Sequence, residues 1–312
     1  MTITWIDERT GYLPGQTTIG VVRMAGDRAL LVDAGLDADR ARTIVRALQA
    51  EDLRPAALLI THAHADHFGG APALRRRGAE LVAASAMTAL YVRNPELEPI
   101  SLSGWAAPPS ELHTKFFHGP ILEVDVEVEP GPWALPGDPG MVLLALPGHA
   151  MGQLGLQVGD VIFCGDAVFA PQVWQRHPFV YMADVAASLE SLDLLDSLAP
   201  GALVGGHVAC RVGEELDPAG LVRTTREGIL ALSRTILGTV EGAGSSGVSQ
   251  DGLLADLAAQ LGTGFAAVGD YYLARAALQA YLTHLAHGGL VRPVPRGGEL
   301  LWTAATPQGG HE

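Results

Sequence analysis

Short apolar runs, each ending in a polar cluster, fill the first two-thirds of the chain. Residues 18–24 and 29–32 are rich in β-branched and aliphatic side chains and flank Ala25-Gly26-Asp27-Arg28, a pattern that predicts a hairpin. Asp33-Ala34-Gly35 closes the second strand. Over 37–50 the spacing turns helical, with Ala41, Ile44, Val45 and Leu48 in phase and Pro55 just beyond. Residues 56–60 are uniformly apolar, as suits a strand covered on both faces. They lead into Thr61-His62-Ala63-His64-Ala65-Asp66-His67, and a helix is expected from there to Arg77. Further strands are predicted at 80–84, 121–128, 141–146, 153–158, 161–163 and 202–204, and a helix at 184–198. Prolines 95, 99, 108, 109 and 120 predict loop or broken helix across 94–120.

After about residue 215 the pattern becomes mainly helical. Stretches 221–237, 251–261 and 271–287 are amphipathic, a Gly/Ser-rich segment at 238–249 reads as a linker, and 290–303 contains a turn at Arg296-Gly297-Gly298. Three helices followed by a β-hairpin is the order of a winged helix. The expected organisation is therefore a domain over 1–215 and a winged-helix-like domain over 216–312, with the boundary near Leu216.

Composition narrows the class. The chain has 312 residues, 48% of them hydrophobic and 17% charged, enough for a large core plus a smaller unit. Its apolar runs fall far short of the ~20 residues of a membrane span. The first residues, Met1 to Arg9, show no basic lead before an apolar stretch, so the cytoplasm is the expected location. Two cysteines, Cys164 and Cys210, make no disulfide framework and read as small buried side chains. A net charge of −14 opposes attraction to nucleic acid phosphates.

Each polar cluster stands just beyond an apolar strand, where sheet folds assemble their sites. His62 and His64 are two apart, so an extended segment points both to one side. With Asp66 and His67 in the following turn, they offer the nitrogen and oxygen donors that suit zinc and its first-row neighbours. A chance match to His-x-His-x-Asp-His in this composition is expected on the order of once per thousand such sequences.

Together, Thr61 to His67, Pro147-Gly148-His149, Gly165-Asp166 and Gly206-His207 resemble, in order and type, the metal motifs of the metallo-β-lactamase superfamily. The resemblance spans about residues 17 to 210 and implies a four-layer αββα sandwich with metals at one edge of the sheets. It further implies that His62, His64 and His149 hold one metal, that Asp66, His67 and His207 hold a second, and that Asp166 bridges them. Asp33 resembles a residue that orients ligands through hydrogen bonds; a strand-end turn former is the other reading. Two divalent transition-metal ions, zinc first and manganese or iron as alternatives, would lower the pKa of a bridging water, and the hydroxide would attack a carbonyl or phosphoryl centre. Asp66 is the catalytic candidate, as a guide or proton shuttle for that hydroxide. No Gly-x-Ser-x-Gly elbow is present.

His113, His118 and His177 read as surface or packing residues, and His284 and His287 as helix-end residues suited to the dipole. Phe169, Trp174, Phe179 and Tyr181 follow Asp166 closely and read equally well as substrate wall or core. Phe169 stands where quorum-quenching lactonases of this superfamily have tyrosine. The whole chain is most similar to hydrolases of this fold with a winged-helix-like tail, the lactamase-like protein 2 and glyoxalase II-related group. From residue 208 to 312, seven arginines face ten acidic residues, which opposes a duplex DNA reader and favours packing, dimerisation or a lid. The favoured activity is hydrolysis of a small ester, thioester or lactone; the alternatives are an endoribonuclease on single-stranded RNA and a metal-binding regulatory module using the winged helix.

Overall fold

The computed structural model describes residues 1–136 and 138–305. Its first sheet has seven strands in chain order: β1 (Thr4–Trp5), β2 (Thr10–Leu13), β3 (Ile19–Arg23), β4 (Arg28–Val32), β5 (Arg54–Ile60), β6 (Leu81–Ala84) and β7 (Val126–Glu127). Strands β1 to β4 pair antiparallel and β4 to β7 parallel. The parallel crossovers carry α1 (Ala38–Gln49), α2 (Ala65–Phe68), α3 (Ala71–Arg75), α4 (Ala86–Arg93) and α5 (Leu97–Leu102). The second sheet has six strands: β8 (Gly131–Leu135), β9 (Asp138–Ala145), β10 (Leu154–Val158), β11 (Val161–Gly165), β12 (Ala202–Gly205) and β13 (Ala209–Arg211). Only β11 and β12 run parallel, joined through α6 (Pro171–Arg176) and α7 (Val185–Leu198).

The layers follow from strand alternation. Leu30 and Val32 of β4 meet Leu143, Leu156 and Phe163 of the second sheet in a core between the sheets. Leu31, one residue away, packs on the opposite face with Ile44 and Leu48 of α1. Likewise Ile162 and Cys164 turn from Phe163 to the outer face, under Leu192 and Leu195 of α7. Helix, sheet, sheet, helix is the resulting order. α1 starts where Asp37 accepts from the Asp39 and Arg40 N–H groups. Both cysteines are buried and unpaired, and burial raises both thiols, Cys210 to about 11.

The tail comprises α8 (Pro218–Gly242), β14 (Val248–Ser249), α9 (Gln250–Gln260), α10 (Val268–His287), β15 (Val291–Arg296) and β16 (Glu299–Ala304). Its outer-layer core is continuous with that of the second sheet: Leu221, Ile229, Ile236, Leu278 and Tyr281 join Leu144, Ile162 and Leu203. The linker expected at 238–249 is not one. Helix α8 runs through Gly238 because Ile236 and Val240 are fully buried, and β14 pairs with β16. The strand expected at 121–128 shrinks to β7; Leu122 and Val124 keep the alternation and are buried, but the Leu122 N–H finds Val92 of α4 instead of a strand. No described helix is long and apolar enough to cross a membrane.

Candidate metal centre

All seven candidate side chains converge at one end of the sandwich. β5 ends one residue before Thr61 and delivers His62 and His64; α2 carries Asp66 and His67. His149 follows β9, Asp166 follows β11 directly, and His207 follows β12. Hydrogen-bonded strands hold these ends in register, so residues distant in sequence meet.

The donor atoms fall into groups within 4.8 Å of one another: His62, His64 and His149; His62, His67 and Asp166; and Asp66, His67 and His207. His64 Nδ1 lies 3.1 Å from His62 Nε2 and 2.9 Å from His149 Nε2. Asp166 stands between the groups. Its Oδ1 is 3.5 Å from His67 Nε2, and its Oδ2 is 3.5 Å from His149 Nε2 and 3.3 Å from His207 Nε2. Asp66 Oδ2 is 3.6 Å from both His67 Nε2 and His207 Nε2. Gly206 makes room for this approach, since a Cβ there would sit 2.1 Å from Asp166 Oδ1.

The far side of four of the five rings is tethered, which aims the near nitrogen inward. Asp33 accepts from the Thr61 N–H at 2.9 Å and from its hydroxyl at 3.0 Å, and Thr61 Oγ1 accepts from His62 Nδ1 at 2.9 Å. The same carboxylate accepts from His67 Nδ1 at 2.8 Å. Asp33 takes a left-handed φ of 69°, tolerated better by aspartate than by most residues, to reach under both. His149 Nδ1 donates to the Tyr181 carbonyl at 2.9 Å and His207 Nδ1 to the Gln16 carbonyl at 2.7 Å. Thr17 donates to Asp66 at 3.0 Å. His64 Nε2 faces the Glu98 carboxylate at 3.9 Å. Thr17, Gln16 and Glu98 carried no readable signal in the sequence, because one acts through a short hydroxyl, one through a backbone carbonyl, and Glu98 lies in the region expected to be loop or broken helix.

Burial holds His62 well below its ordinary range and brings His149 down to about 3, so both are neutral. Burial also disfavours charge on His67, but Asp166, Asp66 and Asp33 outweigh it and raise that ring well above its usual value. Asp166 raises His207 to about 9, and burial of Asp166 is outweighed by His67 and His207, which hold its carboxyl well below the usual range.

His67 Nε2 and Asp166 Oδ1 are buried without a hydrogen-bond partner and face each other. Buried polar atoms are rarely left so. A divalent cation at this point would satisfy both, and the imidazole and carboxylate donors fit such an ion.

Among the described residues, the other histidines stay outside. His113 and His118 pair with Glu96 at 3.2 and 3.0 Å, His177 caps the exposed end of α6, and His284 and His287 occupy the last turn of α10 as expected. The aromatic group divides. Phe169 is 4% exposed and packs beneath His149, with Trp174 behind it. Tyr181 sets its ring against His64 and His149, and Phe179 meets Phe265 of the tail.

A profile described as the metallo-beta-lactamase superfamily matches residues 12–207, a span that contains every candidate ligand. The chain belongs to the metallo-β-lactamase superfamily. Among curated relatives, a hydroxyacylglutathione hydrolase of Vibrio parahaemolyticus is 30% identical over 49% of this chain and 47% of its own length. That of Shewanella denitrificans is 29% identical over 57% of this chain and 56% of its own. The chain thus spans about half the length of the curated relatives it matches. In fold it is similar to a metallo-beta-lactamase family protein from Thermus thermophilus, with a TM-score of 0.67 at 19% identity over 94% of this chain and 97% of that one. It is also similar to a beta-lactamase domain protein from Burkholderia ambifaria, with a TM-score of 0.70 at 17% identity over 97% and 93%. These likenesses extend across the tail and show the shared superfamily fold.

Proposed function

We propose that the chain is a dinuclear metal-dependent hydrolase of a small ester, thioester or lactone. The observation that carries the metal centre is the pair of unpartnered atoms, His67 Nε2 and Asp166 Oδ1, where the two donor groups meet. In this reading His62, His64 and His149 hold one cation, Asp66, His67 and His207 the other, and Asp166 serves both. The donor set suits zinc, with manganese or iron as alternatives. When bound, two divalent cations activate water near neutral pH and polarise the oxygen of the substrate's reacting group. Asp33 and its hydrogen bonds keep two of the imidazoles aimed. Asp66, at 25% side-chain exposure against 3% for Asp33 and 6% for Asp166, is the carboxylate of the set that reaches solvent and can carry a proton.

The rim supports a small acyl substrate over a polyanion. Residues 84–120 and 167–182, the expected rim, hold three formal cations, Arg93, Lys115 and Arg176, of which Arg93 is paired with Glu127 and Lys115 with Asp37. Tyr181 lends an aromatic face beside His64. The tail reads as a winged-helix-like unit whose apolar faces pack on α7 and one another, which favours a packing role over duplex DNA. The two free, buried thiols of the chain agree with a reducing cytoplasm.

The test is kcat/KM of the zinc- and manganese-loaded protein on thioesters, esters, lactones and oligoribonucleotides. Higher values for acyl substrates, abolished in His64→Ala, are expected. A clear advantage for single-stranded RNA overturns the substrate reading in favour of a nuclease.

A further inference from the structure

Arg40 projects from α1 toward the loop between β2 and β3. Its Nη2 lies 3.0 Å from the Leu13 carbonyl, 2.9 Å from that of Pro14 and 3.0 Å from that of Thr17, so two N–H groups are shared among three acceptors of one loop. The guanidinium occupies the space over Gly15, where a Cβ would sit 2.4 Å from Nη2.

The same loop supports one set of candidate ligands. Thr17 donates to Asp66 at 3.0 Å, the Gln16 carbonyl accepts from His207 at 2.7 Å, and the Thr18 N–H donates to the Gly206 carbonyl at 2.6 Å. His62 and His149 are tethered elsewhere, by Thr61 and by the Tyr181 carbonyl. A loop of Pro14, Gly15 and Gln16 has little side-chain packing of its own to hold those angles.

We infer that Arg40 is a positioning residue for the cation held by Asp66, His67 and His207: it fixes the loop that orients Asp66 and His207. This rests on the ligand assignment proposed above. The planar fork of arginine can span several converging carbonyls, whereas a lysine ammonium is a point donor on a flexible stem. The coupling is indirect but falls on one site alone. Partners that orient metal ligands are worth ~10–100-fold in affinity, and the lower end is expected through an intervening loop.

The experiment is titration of the metal-free, full-length protein with cobalt(II), followed by visible absorbance and calorimetry, for the parent, Arg40→Met, Arg40→Lys and Thr17→Val. In Arg40→Met one equivalent should bind with the parent's affinity and the other about tenfold more weakly. Thr17→Val should show the same pattern, and Arg40→Lys should recover less than half of the loss. Gly15→Ala carries the same test with the arginine kept, should Arg40→Met fold poorly. Two equivalents bound with parental affinity, or both weakened equally alongside a lower melting temperature of the metal-free protein, would reduce Arg40 to a structural clamp and overturn the inference. His207→Ala is the control on the underlying reading: if it still binds two equivalents tightly, the ligand assignment has failed and not the role of Arg40.

Discussion

The two imidazole-bearing groups of the centre are built differently. His62, His64 and His149 contain no carboxylate; His62 and His149 are buried and neutral, held by Thr61 and a backbone carbonyl. Asp66, His67 and His207 include a carboxylate, open to solvent through His207 at 30% side-chain exposure, and sit in a field that protonates both imidazoles. In the metal-free protein the second group therefore stores protons where a cation would bind, whereas His62 and His149 of the first store none. Desolvation dominates one side and nearby carboxylates the other, a few ångströms away.

The largest effect expected is the one that erases the comparison. Asp166→Ala removes the side chain that faces both groups, so elemental analysis should find both cations depleted. kcat/KM should fall by more than the ~10–100-fold typical of losing a residue that merely orients a ligand. Full occupancy in that variant would sink the shared role of Asp166.

Single-group variants sharpen the contrast. His64→Ala should deplete the buried position and His207→Ala the exposed one, each leaving close to one cation per chain. A uniform loss in both would mean that the groups do not act separately.

The smallest effect is a slope. Near pH 7 a cation entering the exposed group must displace protons from His67 and His207, the latter raised to about 9, whereas His62 and His149 have none to lose. Affinity of the exposed position should therefore rise between pH 6 and 8 by up to ~10-fold per unit for each proton released, and that of the buried position should rise less steeply. Calorimetry in buffers of different ionisation enthalpy counts those protons. Equal release at both positions would remove the electrostatic distinction.

Much of this was legible in the residues. Ala56 to Ile60 reads as a strand covered on both faces because it is, and the polar cluster after it had to emerge at a sheet edge. His62, His64, Asp66 and His67 stand within six residues, so local spacing was enough to join them. The helix at 38–49 carried its own cap in Asp37. Elsewhere local pattern misled. Gly238 and the Gly/Ser residues after it resemble a linker, but Ile236 and Val240 are anchored in a core assembled from remote strands, and burial outweighs the cost of glycine in a helix, ~1 kcal/mol. Proline-rich 94–120 is broken helix and loop, as its prolines predict, with α5 placing Glu98 3.9 Å from His64.

Side-chain chemistry and strand burial are local properties, so the residue types able to bind metal, each placed after an apolar strand, could be read from the chain directly. The tertiary structure alone decided which atoms meet. Pairing of β5, β11 and β12 within two packed sheets brings Asp166 between His67, His149 and His207. The tethers at Gln16 and Tyr181 run through backbone carbonyls, which every residue has, so no side-chain pattern could mark them. The proton balance between the two groups is likewise set by burial and by carboxylates distant in the chain, quantities that exist only once the sheets have closed.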